Sequence, residues 1–94
     1  MKKIQASPRS ANSIDKHFGR QIRSGRLAIN MSQTGLAEKL GISFQRVQKY
    51  EAGANRITAA RLYEICEVFG VPITSMFEGI PRAGARPGLK AKGK

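Results

Sequence analysis

The sequence predicts an all-α fold, a compact bundle of five helices flanked by basic tails, and three observations lead to it. Between positions 14 and 80 apolar residues recur at spacings of three and four, which stacks them on one face of a helix. Each such stretch is closed by Asn or Gly, and most are opened by Ser or Thr. No alternating run is long enough to make a convincing strand, and no internal repeat is visible. With 94 residues and 40% apolar content the chain can fill one modest core. Residues 14–80 are therefore expected to form one domain, with residues 1–13 as an N-terminal arm and residues 81–94 as a C-terminal tail.

The first helix is expected over about Ser13 to Ile29, with Ser13 as its cap and Ile14, Phe18, Ile22 and Ile29 facing the core. Lys16, Arg20 and Arg23 fall on the other side, a face read as solvated or as lying near a phosphate backbone. Asn30 is suited to end this helix, because Asn tolerates the left-handed conformation better than most residues. Ser32 opens a short second helix that carries Leu36, Ala37 and Leu40 inward, and Gly41 closes it. Ser43 caps a third, with Val47 and Tyr50 inward and Gly53 as its stop. A fourth follows Thr58 and sets Leu62, Ile65, Cys66 and Phe69 on one face before Gly70. The fifth and shortest runs from Pro72 to about Phe77.

Composition narrows the function. A net charge of +11 points to a polyanionic partner. Most of it lies in the tails: Lys2, Lys3 and Arg9 at one end, Arg82, Arg86, Lys90, Lys92 and Lys94 at the other, with no acid in either. Ser7, Pro8 and Ser10 mark the first tail as a flexible arm, and the Gly, Pro and Lys of IPRAGARPGLKAKGK make the second too polar to order itself. The absence of a long apolar run argues against a transmembrane span, and MKKIQASPRS lacks the apolar stretch of a secretory signal, so a soluble cytoplasmic protein is expected. The single cysteine, Cys66, cannot form an intramolecular disulfide, and with His17 as its one soft companion it makes no metal site. Cys66 is read as a small buried apolar side chain and His17 as a solvent-facing one. Neither a metal nor another cofactor is expected.

Residues 33–52, QTGLAEKLGISFQRVQKYEA, contain four features at mutually consistent places. Ala37 is small where two helices cross closely, Gly41 supplies a sharp turn, Ile42 plugs the corner, and Val47 with Tyr50 anchors the second helix on the first. The result is a helix-turn-helix with its second helix exposed on the outer side, as reading of the major groove requires. With Val47 inward, a turn of about 100° per residue points Gln45, Lys49 and Ala52 away from the core, with Arg46 and Gln48 on the flanks. Gln pairs with adenine through two hydrogen bonds, and Arg and Lys suit the acceptors of guanine, so this is a base-reading face. Gln33 and Ser43 stand at helix starts, where free amides suit a phosphate and where ordinary capping is the plainer role. Asn55 and Arg56 in the following loop are placed for phosphate contact as well.

Residues 18–78 resemble the Cro and phage-repressor type of helix-turn-helix domain, the xenobiotic response element family of bacterial and phage regulators. The likeness rests on Gly19, Ile22, Arg26, Met31-Ser32-Gln33, Leu36-Ala37, Leu40-Gly41-Ile42-Ser43, Tyr50-Glu51, Gly53, Leu62, Ile65 and Phe69-Gly70-Val71. It implies a lambda-repressor-like bundle that binds double-stranded operator DNA, commonly as a two-fold dimer. It assigns Gln33 and Ser43 to the DNA backbone, and it pairs Arg26 with Glu51 in a structural salt bridge. It also makes the position of Phe44 a base-contact position. Related domains often have a polar residue there, so Phe44 either meets a thymine methyl or packs locally. Gly35 stands where related domains more often have Glu, which fits either a close approach or tolerated drift.

Val71, Pro72, Ile73, Met76, Phe77 and Ile80 are more apolar than the edge of a small monomer needs. Some must close the core, and the rest are expected to form the isologous patch of a homodimer. Two rival classes compete with a transcriptional regulator. A general nucleic-acid-coating or RNA-binding protein lacks its stacking platform here, since aromatic content is 6% and mostly at core positions. A peripheral membrane module would need a bulky apolar face left over beside a cationic one. Acids are few and dispersed, and no nucleophile has an activating partner, so no enzymatic activity is expected. Within the regulator class, an antitoxin or a restriction-modification controller would use the same domain.

Overall fold

Capping chemistry divides the chain as its sequence suggests. The computed structural model describes residues 11–80, in which four α-helices follow one another: α1 (Ala11–Ala28), α2 (Gln33–Leu40), α3 (Phe44–Ala52) and α4 (Ala59–Phe69). Ser32, Ser43 and Thr58 each accept a hydrogen bond from the amide three residues on, at 2.9, 3.1 and 3.1 Å, which satisfies one of the donors left free at a helix start. Asn30, with φ of 56°, is the left-handed residue after α1. The turn between α2 and α3 depends on Gly41, whose φ of 70° is unfavourable for residues with a side chain. There the Gly41 amide donates to the Glu38 carbonyl and the Ile42 amide to that of Ala37, at 3.3 and 3.0 Å. These two bonds close α2 and release the chain toward α3 within three residues.

The inner layer is made by all four helices. Ile22 of α1, Leu36 and Ala37 of α2, Val47 and Tyr50 of α3, and Leu62, Ile65, Cys66 and Phe69 of α4 are buried together, with Ile57 and Met76 closing the ends. Leu40 and Ile42 are half-buried against this cluster, so Ile42 does plug the corner of the turn.

Four expectations are corrected. Helix α1 starts at Ala11, so Ser13 lies inside it and is not its cap. Ile29 lies past its end and is 42% exposed, because the helix stops one residue before the periodicity does. His17, expected to face solvent, is buried. Its Nε2 donates to the Met76 carbonyl at 3.0 Å across 59 positions of sequence, a carbonyl being able only to accept. Finally, the fifth expected helix is a 3₁₀ segment, Ile73–Phe77, leaving four α-helices among the described residues. Gln21 Nε2 takes the Ser75 carbonyl at 3.0 Å and His17 takes that of Met76, so side chains of α1 occupy acceptors that a continuing helix would use. The arm up to residue 10 and the tail 81–94 lie outside the described residues.

Close approach of α1 to the end of α3 sets the orientation of α3. A Cβ added to Gly19 would sit 2.5 Å from the Glu51 carbonyl oxygen and 2.6 Å from that of Tyr50. One added to Gly53 would meet the Cα of Lys16 at 2.7 Å. The two backbones therefore touch directly, and neither obstacle can rotate away. Gly19→Ala is expected to destabilise the protein by about 1–3 kcal/mol through overpacking, read as a lowered midpoint of urea unfolding.

Candidate nucleic-acid interface

Helix α3, FQRVQKYEA, divides cleanly between anchor and surface. Val47 and Tyr50 are buried, while Phe44, Gln45, Arg46, Gln48, Lys49 and Ala52 are exposed. All five residues expected to read bases thus share the outer surface of one helix, and that surface carries two cations and no acid. Ser43, Gln45, Arg46, Lys49 and Asn55 line a shallow open depression between α3 and the loop that follows it. Its lining is polar and cationic. Arg56 lies further out on the same loop with its guanidinium largely in solvent, 3.9 Å from the Asp15 carboxylate of α1, a separation worth little in water.

The one acid of α3 points the other way. Glu51 accepts from Arg26 Nε at 2.7 Å and from Arg26 Nη2 at 3.0 Å, a two-bond pair whose side chains are 7% and 5% exposed. Arg26 Nη1 donates to the Met31 carbonyl at 2.9 Å, and Gln33 Nε2 donates to Glu51 Oε1 at 3.0 Å. The hydrogen bond to Glu51 raises the Arg26 pKa above its ordinary value, burial opposing it and the charge of Glu51 adding to it. The pair suggested by family resemblance is therefore formed, and it is buried. Gln33, expected at a phosphate, stands at the first position of α2 with part of its amide held by this pair; its second N–H remains for another acceptor.

Of the residues expected at a dimer interface, Val71, Pro72 and Phe77 are exposed, and Ile73 and Ile80 are half-buried. Met76 is 3% exposed and belongs to the core, because the His17 bond draws its turn onto α1; it cannot contribute to a surface patch. Phe77 meets Phe18 edge to face at 5.4 Å. Cys66 is buried, and burial pushes its thiol pKa up, which suits packing rather than reactivity. Among the described residues no three His, Cys, Asp or Glu side chains come together as a metal site would need, and no helix is long and apolar enough to cross a membrane.

Two features were not foreseeable from local pattern: the His17 and Gln21 tether to the 3₁₀ segment, and the bond from Gln33 to Glu51. The first left a trace, since His17 and Gln21 are four apart and so share a helix face. The second left none, because nothing local distinguishes a Gln that faces a phosphate from one that faces a carboxylate.

Two helices joined by the Gly41 turn, the second anchored by Val47 and Tyr50 and polar outside, define a helix-turn-helix protein. A family model described as Helix-turn-helix matches residues 22–75. Over 82 residues the chain is 40% identical to an uncharacterised transcriptional regulator in the ATPase CF(0) region of Rhodospirillum rubrum, covering 87% of this chain and 76% of the relative. It is 47% identical over 77 residues to an uncharacterised HTH-type transcriptional regulator of Sinorhizobium medicae, covering 82% of this chain and 55% of the relative. It thus spans about half the length of the second relative. The fold is similar to that of the clp gene regulator ClgR from Corynebacterium glutamicum, with a TM-score of 0.66 at 20% identity over 68% of each chain. It is also similar to that of the restriction-modification controller protein C.AhdI from Aeromonas hydrophila, with a TM-score of 0.64 at 22% identity over 67% of this chain and 96% of the other. The chain belongs to the helix-turn-helix family of DNA-binding transcriptional regulators.

Glu51→Ala leaves the Arg26 guanidinium buried without its partner and is expected to cost about 3–5 kcal/mol, measured by chemical denaturation. Replacing both residues by apolar ones of similar volume should recover much of that loss.

Proposed function

We propose that this protein is a transcriptional regulator that binds double-stranded operator DNA as a homodimer on a palindromic site in the cytoplasm. The observation that carries the base-reading role is the outer face of α3. There Gln45, Arg46, Gln48 and Lys49 project from a helix held by buried Val47 and Tyr50, and the only acid of α3 is withdrawn into the pair with Arg26. Arg and Lys would address guanine N7 and O6, and Gln would address adenine N6 and N7. Gln33, Ser43, Asn55 and Arg56 would hold flanking phosphates: the first two through helix-start amides, the second pair from the loop beside α3. The role is recognition, with no catalytic step assigned to any residue.

Dimerisation is proposed through the surface around Val71, Pro72 and Phe77, where apolar side chains remain exposed while Met76 is in the core and Ile73 is half-buried against it. An isologous contact there would present two copies of α3 to one face of DNA, with half-sites about 34 Å apart. The cations of residues 81–94 would add sequence-independent attraction to phosphates.

Selection of bound sequences from a random duplex pool should enrich a palindrome; enrichment of no site would favour a general coating protein. On the selected site, Gln45→Ala and Lys49→Ala should each weaken binding by about 1–3 kcal/mol and leave binding to random DNA nearly unchanged. Equal losses on both would remove them from the base-reading role. Deleting residues 81–94 should weaken binding to every sequence and flatten its salt dependence, as measured by titration at several salt concentrations.

A further inference from the structure

Phe44 is the one large apolar side chain exposed on α3, at 40%. It opens the helix directly after the Ser43 cap, and the fold makes no evident use of it. The apolar contacts that fix the entry into α3 come from Ile42, before the cap, and Val47, in the core, the positions at which a hydrophobic staple operates. Phe44 belongs neither to the buried cluster nor to the half-buried residues packed against it. Helical geometry puts it beside Gln48, four residues on, and next to Gln45. Side chains of a helix lean toward its N-terminus, so the ring extends the polar reading face at the end from which recognition helices reach base edges.

A phenyl ring has no donor or acceptor, so it can read none of the polar groups in the major groove. In a duplex the flat faces of the bases are covered by their neighbours and offer it nothing to stack on. One apolar group remains at the base edges, the C5 methyl of thymine. We propose that Phe44 determines specificity by packing against a thymine methyl group in each half-site, next to the base pairs addressed by Gln45 and Gln48. This rests on the reading of α3 as the base-reading helix and adds to it a chemical selectivity for 5-methylated pyrimidine.

The test replaces each thymine of the selected operator in turn by deoxyuridine, which removes the methyl and keeps every hydrogen-bonding group. Dissociation constants are measured by fluorescence anisotropy for the unmodified protein, Phe44→Ala and Phe44→Leu, with thermal unfolding followed for each. At one thymine per half-site the unmodified protein should lose about fourfold in affinity, the effect of burying one methyl group. Phe44→Leu should show a similar loss, and Phe44→Ala should bind thymine and deoxyuridine alike. If the unmodified protein binds its operator specifically but ignores every deoxyuridine, the assignment to Phe44 is overturned while the role of α3 stands. The assignment is overturned in the same way if Phe44→Ala is as sensitive to the methyl as the unmodified protein. If no specific operator is selected, the role of α3 itself fails and the assignment goes with it.

Discussion

Arg26 and Glu51 are 25 positions apart, and the hydrogen bonds between them hold the DNA-binding unit together. Taking both charges out of water is expensive, and the structure compensates with hydrogen bonds from each guanidinium nitrogen and to both carboxylate oxygens. The arginine spends two N–H directions on Glu51 and one on the Met31 carbonyl, and the carboxylate also receives the amide of Gln33. The pair thus joins α1, the link before α2, the first residue of α2 and the last turn of α3. It also has an electrostatic consequence. With its acid turned inward, α3 presents only neutral and cationic side chains outside, the surface that a polyanion requires.

A charged pair of this kind holds orientation only if the backbones beside it cannot drift. Gly19 and Gly53 meet that condition, because each lets one helix touch the main chain of the other with no side chain between. Flexible side chains at this crossing would leave α3 adjustable by a fraction of an ångström, and hydrogen bonds to base edges tolerate little of that. Caps at both ends of α2 and α3 add to the rigidity by fixing where each helix begins and stops. On the proposed role of α3, recognition rests on side chains that never touch DNA, and Val47 and Tyr50 matter to it as much as Gln45 does.

Charge and the proposed specificity reside in different parts of the chain. The net positive charge is concentrated beyond the helical domain, where it can add attraction to any phosphate backbone. Selectivity would be confined to one exposed helical face of a few side chains. At the other end of the domain the 3₁₀ segment is tethered through its carbonyls by His17 and Gln21. Its Met76 is turned into the core and its Phe77 is left outside against Phe18. A short segment fixed by polar bonds from α1 gives an apolar surface a definite shape, which association between two copies would need.

Much of this was legible in the residues themselves. Local chemistry is strong at Ser32, Gly41, Ser43, Gly53, Thr58 and Gly70, because cap and turn preferences act within a few bonds and depend little on what packs nearby. The inward set of α3 and α4 followed from periodicity for a similar reason: an amphipathic helix has one apolar face to bury. Periodicity failed in α1, where polar His17 and Arg26 are inside while apolar Ile29 is outside. Burial of a polar side chain is decided by whether a partner waits there, and both partners, the Met76 carbonyl and Glu51, come from distant parts of the chain. Sequence alone thus determined the helical class, the turn and the outward polar face of α3. The bonds of His17, Gln21 and Gln33, the burial of the Arg26–Glu51 pair that the resemblance suggested, and the closing of the last segment as 3₁₀ were decided only in three dimensions, because hydrogen bonds are satisfied by position and not by residue type.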